Sequence, residues 1–216
     1  EYTALTATRA FTLADAARIL KARGLAMQEA VAVGEGAMAA LIGVELDQAE
    51  AFAAEGAGAG VCTAANDNAP GQVVISGDAA AVERALEIAV AGGAKRSIML
   101  QVSAPFHCAL MAPAADVMAD RLAAMQINRP ALPVIANVTA AAESAPEEIR
   151  RLLVEQVTSR VRWRESVLYM RDNGIDTVVE IGAGKVLTGL TRRIDRDLTG
   201  ISVQTPDDIE AFAGTL

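Results

Sequence analysis

Between residues 36 and 102 the hydrophobic pattern runs through six stretches in a fixed order, which narrows the fold more than any other feature. Residues 37–44 read as a strand, and 46–55 as a helix with Asp47 near its start. A strand at 61–65 leads into a turn through Asn66, Asp67, Asn68, Pro70 and Gly71, and a second strand covers 72–76. An alanine-rich helix at 78–91 and a strand at 95–102 complete the set. Glycines at 34, 36, 92 and 93 mark the edges. The order β-α-β-β-α-β is the split βαβ, or ferredoxin-like, arrangement.

The flanks read differently. Residues 1–10 open inside a helix with neither a cap nor a start methionine, so the chain is expected to be a segment of something longer. Thr12 can cap a second helix, in which Leu13, Ala16, Ile19 and Leu20 recur at helical spacing to about residue 30. Beyond 102 come a helix at 111–125 with Pro113 near its start, a strand at 133–138, and helices at 146–158 and 164–173. A strand at 177–181, a helix at 185–198, a short strand at 201–203 and a helix at 206–213 follow. Such alternation predicts an α/β fold with a parallel sheet covered on both faces. The expected domains are a core of residues 1–35 and 103–216 and an inserted subdomain of residues 36–102.

Composition removes several function classes. With 52% hydrophobic residues in 216, much of them alanine, the chain can bury a core and is not expected to be disordered. A net charge of −8 without a basic block disfavours nucleic acid, whose phosphates demand lysine and arginine. Cys62 and Cys108 are too few for a disulfide framework. No signal pattern and no membrane-length apolar run is visible, and a reducing cytoplasmic setting is expected.

Few residues can carry chemistry. His107 is the only histidine and follows a predicted strand, where α/β folds present reactive groups. Its ring can take and return a proton near neutrality, although a structural loop histidine fits the position equally well. Arg23 lies mid-helix beside Gly24, a residue that costs helix stability and would be explained by a close ligand or backbone. A guanidinium there suits a carboxylate, but a solvated helix arginine is the commoner case. The run Gly182–Ala183–Gly184–Lys185 resembles a phosphate-binding turn without the spacing of a Walker loop or a complete dinucleotide fingerprint, and reads first as a tight strand-to-helix turn. One histidine and no CxxC leave no zinc set, and the adjacent Cys108 and His107 side chains should diverge rather than form a dyad.

Four stretches, taken in order, resemble the malonyl-CoA:acyl carrier protein transacylase family. They are Glu1-Tyr2-Thr3-Ala4-Leu5, the helix segment 22–30 around Arg23, Ser103-Ala104-Pro105-Phe106-His107-Cys108, and the segment 180–190 that begins Glu180-Ile181-Gly182. The segment 68–77, from Asn68 through Gly77, fits as well. The resemblance spans essentially the whole chain. It implies an α/β-hydrolase-like core, incomplete at the N-terminus, with an inserted ferredoxin-like subdomain. It also places the nucleophilic serine in a GHSLG elbow just ahead of Glu1, so residues 1–216 alone are expected to be inactive. No serine present here, Ser103 included, takes its place.

The mechanism that the resemblance implies has two half-reactions, with His107 as base in both and the backbone carbonyl of Gln156 fixing its tautomer. Arg23 is expected to hold the malonyl carboxylate. Phe106 should disfavour a methyl branch on the substrate, and Met27 and Asn68 are expected to line the pocket. No cofactor is expected, coenzyme A entering as the substrate thioester. The acidic carrier protein must meet a local basic patch, for which Lys95, Arg96, Arg192 and Arg193 are the candidates beside an ordinary surface role. A monomer is expected. The alternatives are an acyltransferase domain of a polyketide or multifunctional synthase, and a non-catalytic module that only binds carrier protein.

Overall fold

The computed structural model describes residues 1–215, which divide into two compact units, the first Glu1–Trp163 and the second beginning at Arg164. In the first, α1 (Tyr2–Ala7) and α2 (Leu13–Glu29) precede a run of β1 (Gly36–Ile42), α3 (Leu46–Ala57), β2 (Cys62–Ala69), β3 (Gln72–Asp78), α4 (Ala79–Ala91) and β4 (Arg96–Met99). A 3-10 turn (Ala109–Met111), α5 (Ala112–Ala123), β5 (Val134–Ala136), β6 (Ala141–Glu143) and α6 (Pro146–Glu155) complete it.

Strands β1 to β4 form one antiparallel sheet in the order β2-β3-β1-β4. Helices α3 and α4 share a core with this sheet, built from Leu41, Val73 and Ile75 on the strands and Ala49, Ala53, Val82, Ala85 and Ala89 on the helices. Small residues let the helices approach closely: a Cβ on Gly56 would lie 2.6 Å from the Ala85 backbone. A separate cluster joins Met38, Ala65 and Val74 from the strands, and Leu100 and Phe106 pack against it. Phe106 also packs against the helical core of α1, α2, α5 and α6, which includes Leu5, Ile19, Met118, Leu122 and Leu153. The residue before His107 is therefore fastened to two hydrophobic clusters at once.

Local rules account for most boundaries. Thr12 caps α2 by accepting from the Asp15 N–H at 3.1 Å. The main departure is β2. Asn66, Asp67 and Asn68 were expected in a turn after a strand ending at 65, but they remain extended to Ala69. The Asp67 N–H donates to the Val161 carbonyl and the Val161 N–H to that of Ala65, both at 2.8 Å. Two register shifts in the β2–β3 ladder absorb the turn-forming residues as bulges, and the reversal occurs at Pro70–Gly71. Strand β4 is shorter than the expected 95–102. The strand expected at 133–138 is only Val134–Ala136 and pairs antiparallel with β6, which the sequence pattern did not reveal.

The second unit holds α7 (Trp163–Asp172, whose first residue belongs to the first unit), β7 (Thr177–Ile181), α8 (Val186–Ile194), β8 (Thr199–Val203) and α9 (Pro206–Ala213). Strands β7 and β8 pair in parallel with α8 as the crossover. Among the described residues this pair and an isolated Asn66–Val161 bridge are the parallel pairings, so the broad parallel sheet expected from the alternation is narrow here. The helix expected to reach 198 stops at Ile194 because Asp195 is extended. No helix among the described residues is long and apolar enough to cross a membrane.

Candidate active site

The loop between β4 and α5 carries His107. Its path is set at both ends. The Leu100 N–H donates to the Met38 carbonyl at 2.9 Å, and Pro105 fills space that a side chain at Gly36 would occupy, a Cβ there coming within 2.3 Å of the proline ring. The Cys108 thiol donates to the Pro105 carbonyl at 3.1 Å. His107 itself has φ +61°, a conformation uncommon outside glycine that persists where the surroundings enforce it. The loop turns sharply at the histidine before the 3-10 turn starts.

The imidazole is half-buried. Its Nδ1 lies 3.1 Å from the Ser159 carbonyl oxygen and 3.4 Å from the Gln156 side-chain nitrogen. Its Nε2 has no hydrogen bond among the described residues. The expected partner was the Gln156 carbonyl. That carbonyl does act on the ring in favour of its charged form, but the oxygen in hydrogen-bonding geometry is that of Ser159. The chain turns out of α6 just after Gln156, which brings Ser159 round to the ring. Burial, and then the charge of Arg23, hold the imidazole below its ordinary titration range, outweighing the two carbonyls. At neutral pH the ring is neutral, and with Nδ1–H directed at a carbonyl the lone pair is on Nε2.

Arg23 projects from α2, half-buried, and takes part in no hydrogen bond or ion pair among the described residues. Its charge acts on both His107 and Tyr2, so the three share one neighbourhood. Burial pushes the Tyr2 phenol up to about 12, and its hydroxyl is buried without a hydrogen-bond partner. An unpaired guanidinium beside a neutral base can hold an anionic substrate while the base moves a proton. Gly24 does not mark a close approach: a Cβ there would meet nothing within 4 Å.

The remaining sequence-derived positions are more dispersed. Met27 is buried in the helical core, Phe106 is half-buried beside His107, and Asn68 is half-buried on β2. Lys95 and Arg96 are exposed at the start of β4 in the first unit. Arg192 and Arg193 are exposed in the last turn of α8 in the second. The glycine turn before α8 is not a vacant anion cradle, because the Glu180 carboxylate accepts from the Leu187 and Thr188 N–H groups at 3.1 and 2.7 Å. Sequence reasoning missed Ser159 and Asn137, whose side chain bonds to Gln156. Asn137 had only its place at a strand end as a signal, and Ser159 had none.

A histidine with a carbonyl-fixed tautomer, close to an uncommitted arginine on an α/β scaffold, can relay a proton beside a bound anion. The chain belongs to the acyl transferase domain family, whose model matches residues 1–205. It is 47% identical over 212 residues to the malonyl CoA-acyl carrier protein transacylase of Escherichia coli K12, covering 98% of this chain and 68% of that protein. The crystal structure of the acyl-carrier-protein S-malonyltransferase of Bartonella henselae superposes with a TM-score of 0.96 at 53% identity, over 99% of this chain and 68% of that one. A type II PKS acyl-carrier protein in complex with its malonyl-transacylase matches with a TM-score of 0.95 at 42% identity, over 99% of this chain and 69% of that one.

Proposed function

We propose that the protein moves a malonyl group from malonyl-CoA to the phosphopantetheine thiol of an acyl carrier protein, through a malonyl-serine ester. The observation that carries this reading is the pairing of a neutral His107, Nε2 unbonded, with the unpaired cation of Arg23. In the first half-reaction the serine hydroxyl attacks the thioester carbonyl and gives its proton to His107 Nε2, and coenzyme A leaves with that proton. In the second, the carrier thiol gives its proton to His107 and attacks the ester, and the serine recovers the proton. Arg23 holds the distal carboxylate throughout. This matters because a carboxylate buried without a partner is costly, so a malonyl group is favoured over an acetyl group.

The serine is assigned to a position outside residues 1–216, so these residues alone should not turn over. In the same reading, residues 36–102 are a ferredoxin-like subdomain inserted in a hydrolase-like core of residues 1–35 and 103–216; the antiparallel 2-3-1-4 strand order supports the first part. The enzyme is read as a cytoplasmic monomer without a cofactor. Phe106 narrows the acyl pocket, and Met27 and Asn68 are assigned to its lining. Carrier protein docks through Lys95 and Arg96 or through Arg192 and Arg193, a partner supported by the carrier complex of the malonyl-transacylase relative.

The test is single-turnover mixing of malonyl-CoA with enzyme carrying this chain together with the serine. His107→Ala should slow ester formation by roughly 100- to 10,000-fold, the usual share of a general base. Ester formation at the unaltered rate would remove His107 from the mechanism.

A further inference from the structure

Behind His107 lies a chain of side-chain amides whose orientation is fixed by the backbone. Asn137 follows β5. Its Oδ1 accepts from the Arg162 N–H at 2.8 Å, and its Nδ2 donates to the Arg160 carbonyl at 2.9 Å. A backbone N–H can only donate and a backbone carbonyl can only accept, so these two bonds settle which end of the Asn137 amide is which. Its backbone N–H is held as well, donating to Glu1 Oε1 at 2.8 Å. Nδ2 also donates to Gln156 Oε1. The Gln156 amide must therefore present oxygen to Asn137 and its NH2 group to the other side, where it donates to the Ser159 carbonyl at 3.0 Å and lies 3.4 Å from His107 Nδ1.

We propose that Asn137 is a positioning residue for the catalytic base: by fixing the Gln156 amide, it keeps a donor rather than an acceptor beside His107 and so keeps the ring neutral. This rests on His107 being the base. The Ser159 carbonyl has two lone pairs and receives both Nδ1–H and the Gln156 NH2. Were the amide reversed, Gln156 Oε1 would sit beside Nδ1 as a further acceptor, added to the backbone carbonyls, and stabilise the imidazolium, and a base that is already protonated cannot take the serine proton. Arg23, from α2, is the charged side chain that acts on the ring. Glu1 reaches the network through the Asn137 N–H, and Arg160 and Arg162 enter it through their backbone groups, the Arg160 side chain being paired with Glu50.

His107 is the sole histidine, so its ring resonances can be followed by NMR titration of the chain without assignment. Asn137→Ala should move its pKa upward by about 0.5–1 unit, because only the bond to the Ser159 carbonyl then holds the Gln156 amide in this orientation. Gln156→Met removes the facing donor directly and should shift it the same way. Thr139→Ala, in the same turn but bonded only to the Ala136 carbonyl, should leave the pKa unmoved. An unchanged or lowered pKa in Asn137→Ala and Gln156→Met overturns the proposal; if Asn137→Ala does not fold, Gln156→Met alone decides. The titration reads the ring whether or not acyl transfer occurs, so its outcome is separate from that of the transfer assay.

Discussion

At the scale of single residues, the proposed transfer depends on His107 remaining uncharged. Burial and Arg23 depress its pKa, so the neutral base survives to a pH below the usual ~6.5 of a free imidazole. The acid limb of kcat/KM should therefore lie below that value in a pH profile, and a limb above it would contradict the assigned environment. Arg23→Ala removes one of the two depressing causes, so the limb should move up. Tyr2 supplies a stability test. Its hydroxyl is buried and unbonded, which costs about 1–3 kcal/mol, so Tyr2→Phe should be neutral or stabilising in thermal denaturation. That His107 and Arg23 act on one another was foreshadowed in the sequence, where each stands in a run of distinctive residues. Ser159 was not, because a backbone carbonyl contributes no side-chain signature and its placement depends on how the chain leaves α6.

At the scale of elements, the loop of residues 103–108 is held by contacts that no local pattern encodes. Gly36 begins β1 and lies against Pro105, two residues before the histidine. Gly36→Ala should push the proline ring aside, destabilise the fold by about 1–3 kcal/mol, and reduce transfer by more than the stability loss explains. Gly24→Ala is the contrasting case: with open space around a mid-helix position it should stabilise α2 by up to about 1 kcal/mol in a denaturant midpoint measurement. The helices and the β-α-β-β-α-β order were readable from hydrophobic period and caps such as Thr12. The extension of β2 through Asn66, Asp67 and Asn68 was not, since their turn preference yields to backbone bonds with Val161, about a hundred residues away. Strand β6 was hidden because it is three residues long and its sequence, Ala141-Ala142-Glu143, does not alternate hydrophobic and polar types.

At the scale of the whole molecule, the acidic balance has a consequence for docking. A chain of net charge −8 repels an acidic carrier at long range, so capture falls to local cations. Reversing Lys95 and Arg96, or Arg192 and Arg193, should raise KM for carrier protein while leaving that for malonyl-CoA in place, and the effect should fade as salt rises. The central claim is simpler: one site uses His107 as base and Arg23 as the seat of the substrate carboxylate. The most direct measurement is the ratio of malonyl to acetyl transfer in Arg23→Ala, made in enzyme that carries the serine. The ratio should fall on the order of 100-fold, mostly through lost malonyl transfer, as expected when one partner of a desolvated charge pair is removed. An unchanged ratio would contradict the claim.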